Sequence, residues 1–151
     1  MRAILNFPAN ADLIRALVTD DQDLKLMNPK AEIPFNRDQW QELVDPANGH
    51  LSFLVLKSEV TVGHFAFLRL NRELHEATLG LVYISPALRK TKASHELMQL
   101  VDKMARELLD LRLLRLNVRS TNLAAYHLYL RAGFTEYESN DEIVRMVKVI
   151  T

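Results

Sequence analysis

Residues 78–134 have the sequence TLGLVYISPALRKTKASHELMQLVDKMARELLDLRLLRLNVRSTNLAAYHLYLRAGF, and the order of patterns within this segment decides the fold. An apolar, β-branched run over 78–85 predicts a strand, which a polar turn follows. A helix is predicted from Lys92 to Leu109, then a second strand over 114–120, then a short helix that ends near Phe134. Strand, helix and strand in this order form a βαβ unit, so we expect two parallel strands joined by a right-handed crossover.

The long predicted helix and the strand after it carry apolar patterns that fit this unit. The helix places one apolar stripe on the face that covers the sheet: Leu97, Leu100, Val101, Met104 and Leu108. In the strand, apolar Leu114, Leu116 and Val118 alternate with polar residues, so one face packs and the other can be polar. The first turn of the helix follows the carboxyl end of the first strand. Unpaired backbone N–H groups and the helix dipole there favour a bound anion, phosphate above all.

Two pieces of the segment have a more specific pattern, VYISPALR at 82–89 and NLAAYHLYLRAGF at 122–134. At these residues the chain resembles the GNAT superfamily of acyl-CoA-dependent N-acyltransferases. The first piece is similar to the family's fourth strand and to the Arg or Gln that opens its pyrophosphate loop. The second resembles the family's N-x-x-A-x-x-L-Y-x-K-x-G-F helix, with Arg131 where Lys is usual. The residues in register are Asn122, Ala125, Leu128, Tyr129, Gly133 and Phe134.

The resemblance implies a mixed α/β (α+β) GNAT fold. We expect a six- to seven-stranded, mostly antiparallel sheet with about four helices, in which the parallel fourth and fifth strands splay to admit pantetheine. The order and length of the predicted elements extend the resemblance to nearly the whole chain. At 151 residues, 48% of them hydrophobic and 25% charged, residues 1–151 are expected to form a single globular domain.

The flanking segments complete the predicted sheet. Strands are predicted over 2–7, in a hairpin over 51–57 and 60–70, and over 142–150 as the strand that closes the sheet, antiparallel to 134–138. Helices are predicted over 11–18 and 37–44, the second with Asn36 as its N-cap. Gly63 indicates a bulge or a close backbone approach and is similar to a glycine common in the family's third strand.

The polar stretch over 20–36, interrupted by Pro29 and Pro34, predicts an irregular loop. Its three aspartates, Asp20, Asp21 and Asp23, have two interpretations. A solvated helix end is the favoured one, because charge runs usually face solvent. The other is an acidic lip that attracts a cationic amine.

The resemblance implies an acetyl-CoA-dependent N-acetyltransferase, in which an amine attacks the thioester directly. It assigns acetyl-CoA binding to Val82, Tyr83 and Ile84 of the strand, to Arg89, Lys90, Thr91, Lys92, Ala93 and Ser94 of the loop, and to Asn122. A backbone N–H near Val82 to Ile84 would polarise the thioester carbonyl. Tyr129 would be the catalytic acid that protonates or stabilises the leaving thiolate. Tyr129 could instead be an ordinary core aromatic. Asn122 could be a helix cap, a ligand to CoA, or both.

The pyrophosphate loop departs from the family pattern R/Q-x-x-G-x-G/A. Lys90, Lys92 and Ser94 stand where glycines are usual or common. Glycine lets the backbone approach phosphate closely, whereas lysine adds an ammonium group beside it. We expect weakened but real CoA binding. The alternative is a catalytically silent GNAT-fold module, with a binding or regulatory role and a degenerate loop.

No family motif fixes the general base. Glu73, Glu76 and His64 are candidates, although a solvated turn or an ordinary strand position explains each of them alone. The acceptor is equally open: a small-molecule amine or a peptide amine would fit.

Composition excludes several other classes of protein. Zero net charge gives no support for nucleic acid or an anionic membrane as a partner. The absence of cysteine and the irregular spacing of the five histidines argue against a metal site. No apolar run has the length of a membrane span or a signal-sequence core, so a cytoplasmic location is expected. A homodimer is compatible with the resemblance, since dimers are common in the family.

Overall fold

The computed structural model describes all residues 1–151 and contains one seven-stranded mixed sheet, in the order β1-β2-β3-β4-β5-β7-β6. The strands are β1 (Arg2–Leu5), β2 (Leu51–Lys57), β3 (Val60–Asn71), β4 (Glu76–Ile84), β5 (Leu113–Arg119), β6 (Thr135–Ser139) and β7 (Ile143–Val149). The helices are α1 (Asp12–Leu17), α2 (Asp21–Met27), α3 (Arg37–Val44), α4 (Lys92–Lys103) and α5 (Leu123–Arg131). Short 3-10 turns span Pro46–Asn48 and Pro86–Leu88, and a π-helical turn over Met104–Leu108 continues α4.

The predicted fold is confirmed. The β4–β5 pair is parallel, and every other neighbouring pair is antiparallel. The hydrogen-bonded register of β4 and β5 covers only Glu76–Thr78 opposite Leu113–Arg115. The two strands therefore separate toward their carboxyl ends, which is the expected splay.

The sheet has a hydrophobic core on each face. One core lies under α4 and α5 and contains the stacked rings of Phe53 and Phe65 together with Leu97 and Val101. The other lies under α1, α2 and α3 around Trp40. Burial of apolar side chains on both faces explains why the central strands are apolar throughout rather than alternating.

Local signals at the helix ends act as the sequence predicts. The side chain of Asn36 accepts a hydrogen bond from the Gln39 N–H at 3.1 Å, which caps α3. Gly133, at φ 98°, follows α5 in the left-handed conformation. The N–H groups of Gly133 and Phe134 bond the carbonyls of Leu130 and Tyr129, which is a Schellman motif.

Two details of the sequence prediction are wrong. The expected loop over 20–36 contains α2, because Asp20 caps it through the Gln22 N–H and Leu24 and Met27 bury its apolar side. The carboxyl-terminal strand β7 lies inside the sheet between β5 and β6, so β6 is the edge strand.

Candidate active site

The splay leaves the carboxyl half of β4 without a strand partner on its β5 side. Pairing with β5 ends at Thr78, whereas β4 continues to Ile84. Backbone N–H groups beyond Thr78 on that side have no ladder partner. The separation of the two strands opens a cleft at the carboxyl ends of β4 and β5.

A β-bulge at Leu81 changes the direction of the β4 side chains. Leu81 has a φ of 52°, and the register with β3 shifts between the Ala66–Gly80 and His64–Tyr83 pairs. Leu79 belongs to the core under α4, whereas Leu81 and Tyr83 belong to the core under α1 to α3. Val82 and Ile84 consequently pack toward the α4 face. The bulge therefore determines which groups of β4 face the cleft.

His64 of β3 contacts this bulge. Its Nδ1 lies 2.7 Å from the carbonyl oxygen of Leu81, and its Nε2 lies 2.5 Å from Oγ of Ser52. The ring is completely buried, and desolvation lowers the pKa of His64 to about 4. His64 is therefore neutral at pH 7 and sealed from substrate, so it is not a free general base.

The loop between β4 and α4 ends in a capped helix start. Thr91 accepts a hydrogen bond from the Ala93 N–H at 3.2 Å and donates one to the Leu88 carbonyl at 2.5 Å. Ala93, the second residue of α4, is buried, while the Lys90 and Lys92 side chains are exposed. Lys90 adopts a left-handed φ of 60°, and Lys92 occupies the first helical position. The N-terminus of α4 therefore carries two exposed lysine side chains, one just before the helix and one in its first turn.

Arg89 is held by groups outside this loop. Its guanidinium lies 3.1 Å from the Asp23 carboxylate and donates from Nε to the Ile84 carbonyl at 3.1 Å. It also covers the ring of Tyr83, with 5.4 Å between the guanidinium carbon and the ring centroid. Asp23 is the single carboxylate among the buried residues. The sequence placed Asp23 among solvent-facing aspartates, and only its position on the unpredicted α2 could have suggested this pairing.

Tyr129 points from α5 into the core under α4. Its ring contacts Phe134 edge-on, with centroids 5.9 Å apart, and burial raises the pKa of its hydroxyl. The hydroxyl has no hydrogen bond within the protein. The indole nitrogen of Trp40 is the single fully buried side-chain nitrogen or oxygen that lacks a hydrogen-bond partner. The Tyr129 oxygen also lacks a partner, so it is not fully buried and keeps some contact with solvent.

Asn122 caps α5. Its side-chain oxygen accepts a hydrogen bond from the Ala125 N–H at 3.3 Å. The capping interpretation is therefore confirmed. The side-chain amide group makes no hydrogen bond within the protein and stays available for another partner.

The two glutamate candidates for the general base lie at the wrong end of β4. Glu76 begins the strand and pairs with Arg115 at 2.8 Å. Val82 lies further along the same strand by about 20 Å, at roughly 3.3 Å per residue. Glu73 precedes Glu76 and lies no closer to the cleft.

No helix of the structure combines the length and the apolar character needed to cross a membrane. No group of three or more His, Asp or Glu side chains is arranged to hold a metal ion.

We compared the chain with protein-family models, with curated protein sequences and with solved structures. The sequence model of the acetyltransferase (GNAT) family matches residues 14–134. No curated protein sequence matches the chain. The spermidine N-acetyltransferase of Vibrio cholerae, solved with CoA and spermine, is similar with a TM-score of 0.79 at 18% identity, over 98% of this chain and 94% of that one.

Two further solved structures have the same fold. The N-acetyltransferase PseH of Campylobacter jejuni has a TM-score of 0.73 at 20% identity, over 99% of this chain and 98% of that one. A dodecameric structure of the Vibrio cholerae spermidine N-acetyltransferase has a TM-score of 0.70 at 21% identity, over 98% and 91%. At such low identity the likeness shows the shared fold alone.

Proposed function

The chain belongs to the GNAT acetyltransferase family, and from this premise we propose that it transfers an acetyl group from acetyl-CoA to a primary amine by direct attack on the thioester. The observation that carries the proposal is the bulged carboxyl half of β4, unpaired on its β5 side and followed directly by the N-terminus of α4. This arrangement offers backbone donors to a carbonyl and to phosphate within one cleft.

The residues from Arg89 to Ser94 would hold the pyrophosphate. The first-turn N–H groups of α4 that Thr91 does not cap are available to anionic oxygens. The exposed ammonium groups of Lys90 and Lys92 add charge at the same end of the helix. Charge therefore compensates for the glycines that this loop lacks.

Backbone N–H groups between Val82 and Ile84 would polarise the thioester carbonyl. A donor fixed before the reaction stabilises the developing oxyanion without reorganisation, and loss of one such donor typically costs about 100- to 1,000-fold in rate. The left-handed Leu81 interrupts the ladder with β3 immediately before this backbone, which supports the assignment.

Tyr129 would stabilise the leaving thiolate with a hydrogen bond. Burial raises the pKa of its hydroxyl above the ordinary value, so the group is protonated at neutral pH. A thiol has a pKa of about 8.5, so complete proton transfer from Tyr129 is uphill. We therefore propose hydrogen-bond donation to the thiolate, with the final proton supplied by water.

None of the base candidates from the sequence can deprotonate the amine in the cleft. His64 is completely buried, and Glu76 lies at the opposite end of β4, where it pairs with Arg115. A primary ammonium has a pKa near 10.4, so about one molecule in 2,500 is neutral at pH 7. We propose that water carries the proton away. Asp20 and Asp21 at the start of α2 have exposed carboxylates, with Asp21 3.8 Å from Arg15, and these support a cationic acceptor. A related structure contains spermine, so polyamines are the first acceptors to test.

One observation favours the silent GNAT-fold module as a second candidate. The guanidinium of Arg89, the residue that opens the pyrophosphate loop, already forms an ion pair with Asp23 and a hydrogen bond to the Ile84 carbonyl. If this pairing persists, the loop loses one of its three cations.

Calorimetric titration with acetyl-CoA, CoA and 3′-dephospho-CoA separates the two candidates. Micromolar binding of acetyl-CoA, followed by thiol release in the presence of polyamines or peptide amines, would support the enzyme. Absence of binding at millimolar ligand would overturn it and leave the silent module.

A further inference from the structure

Four polar or charged residues are buried in this protein, namely Asn6, Asp23, Ser52 and His64. Asp23 holds Arg89, and the other three form one continuous hydrogen-bonded chain. It begins in the loop after β1, crosses β2 and β3, and ends on β4 at the Leu81 carbonyl. Buried polar side chains are costly unless every group is paired, so a chain that ends on the bulge requires an explanation.

The direction of each hydrogen bond in this chain is fixed. A carbonyl oxygen only accepts, so His64 Nδ1 carries the proton donated to Leu81. Nε2 is then the acceptor in the neutral ring, and the Ser52 hydroxyl donates to it at 2.5 Å. The Asn6 amide donates to Ser52 Oγ at 3.3 Å, and the Asn6 backbone N–H donates to the Ser52 carbonyl at 2.8 Å. The three side-chain donors, from Asn6, Ser52 and His64, therefore follow one path that ends at the Leu81 carbonyl, and the Asn6 backbone bond anchors the start of this path on β2.

The group at the end of this path is the peptide between Leu81 and Val82. That peptide is trans, so its C=O and N–H point in opposite directions. The C=O points toward His64 on β3, so the Val82 N–H points away from β3. On that side of β4 the ladder with β5 has already ended at Thr78. The Val82 N–H therefore faces the cleft.

From this geometry we infer that His64 is a positioning residue, which fixes the Leu81–Val82 peptide so that the Val82 N–H is the donor aimed at the thioester carbonyl. This role rests on the proposed acetyl transfer. A hydrogen bond to the carbonyl of a peptide also polarises its N–H and makes it a stronger donor. The left-handed conformation of Leu81 is unfavourable for a leucine by about 1–2 kcal/mol, so the peptide needs a partner to hold it.

The neutral state of His64 supports the same role. With a pKa of about 4, the ring keeps a single proton throughout the physiological range, and the Leu81 carbonyl, which can only accept, places that proton on Nδ1.

The test compares two variants of similar shape, His64→Asn and His64→Leu. The Asn side-chain amide can replace Nδ1–H as a donor to Leu81, whereas Leu has no donor. Triple-resonance NMR of the free protein reports on the Leu81 carbonyl and the Val82 amide. Turnover and isotope-edited infrared spectra of bound acetyl-CoA report on the thioester carbonyl.

In the Leu variant we expect an upfield shift of the Leu81 carbonyl carbon and a changed Val82 amide resonance. We also expect kcat lower by about ten- to 100-fold with the KM for acetyl-CoA nearly unchanged, and a carbonyl stretch shifted to higher frequency. The Asn variant should recover most of kcat. A merely structural role would lower stability without moving the infrared band.

Unchanged NMR signals in a folded Leu variant would overturn the positioning role. Changed signals with unchanged kcat and carbonyl frequency would overturn it too, while leaving the proposed transferase intact. A wild-type protein that binds no acetyl-CoA would overturn both. Independent of any variant, the ring 15N shifts of wild-type His64 should show the Nδ1–H tautomer, and an Nε2–H tautomer would contradict the inference.

Discussion

Nη2 of Arg89 lies 3.1 Å from Oδ2 of Asp23, so a residue of the proposed pyrophosphate loop forms an ion pair with α2, a helix that packs on the sheet face opposite α4. The pair is partly buried, with 11% of the Asp23 side chain exposed and 39% of that of Arg89. Acetyl-CoA and Asp23 would therefore compete for the same guanidinium.

Replacement of Asp23 by Asn should release Arg89 toward phosphate. We expect CoA affinity to rise by about three- to tenfold, while the free energy of unfolding falls by about 1 kcal/mol as the ion pair is lost. Calorimetry and urea unfolding measure the two effects. The control is Asp21→Asn, since Asp21 lies on the same helix with an exposed side chain. Equal affinities of wild type and Asp23→Asn would show that Arg89 does not contact the cofactor.

The double variant Lys90→Gln and Lys92→Gln tests whether charge replaces the missing glycines. Its affinity for CoA should fall by about tenfold at low ionic strength, and the difference from wild type should shrink at high salt as screening increases. The exposed Lys103, at the opposite end of α4 from Lys92, provides the control as Lys103→Gln. A variant with wild-type affinity at every salt concentration would mean that backbone groups alone hold the phosphates.

Tyr129→Phe should reduce kcat by about ten- to 100-fold with little change in the KM for acetyl-CoA. Stability should not fall, because the Tyr129 hydroxyl has no hydrogen-bond partner within the protein. Tyr126→Phe on the same helix is the matched control, since the Tyr126 hydroxyl bonds Glu136 at the surface. Equal kcat values for the two variants would assign Tyr129 to packing.

His64 should make the protein less stable in acid. Its folded pKa of about 4 lies below the unfolded value of 6.5, so the unfolded state binds more protons between these pH values. Stability is therefore complete above pH 6.5 and falls as the pH decreases toward 4. The loss from pH 8 to pH 5 should be about 2 kcal/mol in urea unfolding, and His64→Leu should remove this component. The same slope in wild type and variant would exclude His64 as its source.

Gly63→Ala should be more destabilising than Gly80→Ala. A Cβ on Gly63 would lie 2.9 Å from the Tyr83 carbonyl oxygen, which the sheet holds in place. A Cβ on Gly80 would lie 2.6 Å from Leu68 Cδ1, a flexible side-chain end that can rotate away. We expect a cost of about 2 kcal/mol or more for Gly63→Ala and about half of that for Gly80→Ala. Thermal unfolding of the two variants tests this order, and a reversal would mean that β4 adapts more easily than Leu68.

The sequence by itself determined the elements whose signals are local. Asn36 and Asn122 cap helices by bonding backbone groups three residues away, and Gly133 ends α5 by its left-handed φ. Regular apolar patterns determined most of the strands and the central parallel pair. These effects depend on neighbours along the chain, so they can be predicted without knowledge of the fold.

Only the tertiary structure decided which groups face the cleft. Leu79, Leu81 and Tyr83 alternate as though on one face, yet the bulge at Leu81 moves the last two to the other core. The partners of the buried polar groups come from distant segments: Ser52 and Leu81 for His64, and Asp23 for Arg89. The energy of such contacts depends on burial and on the three-dimensional position of each partner, which residue types and spacing do not encode.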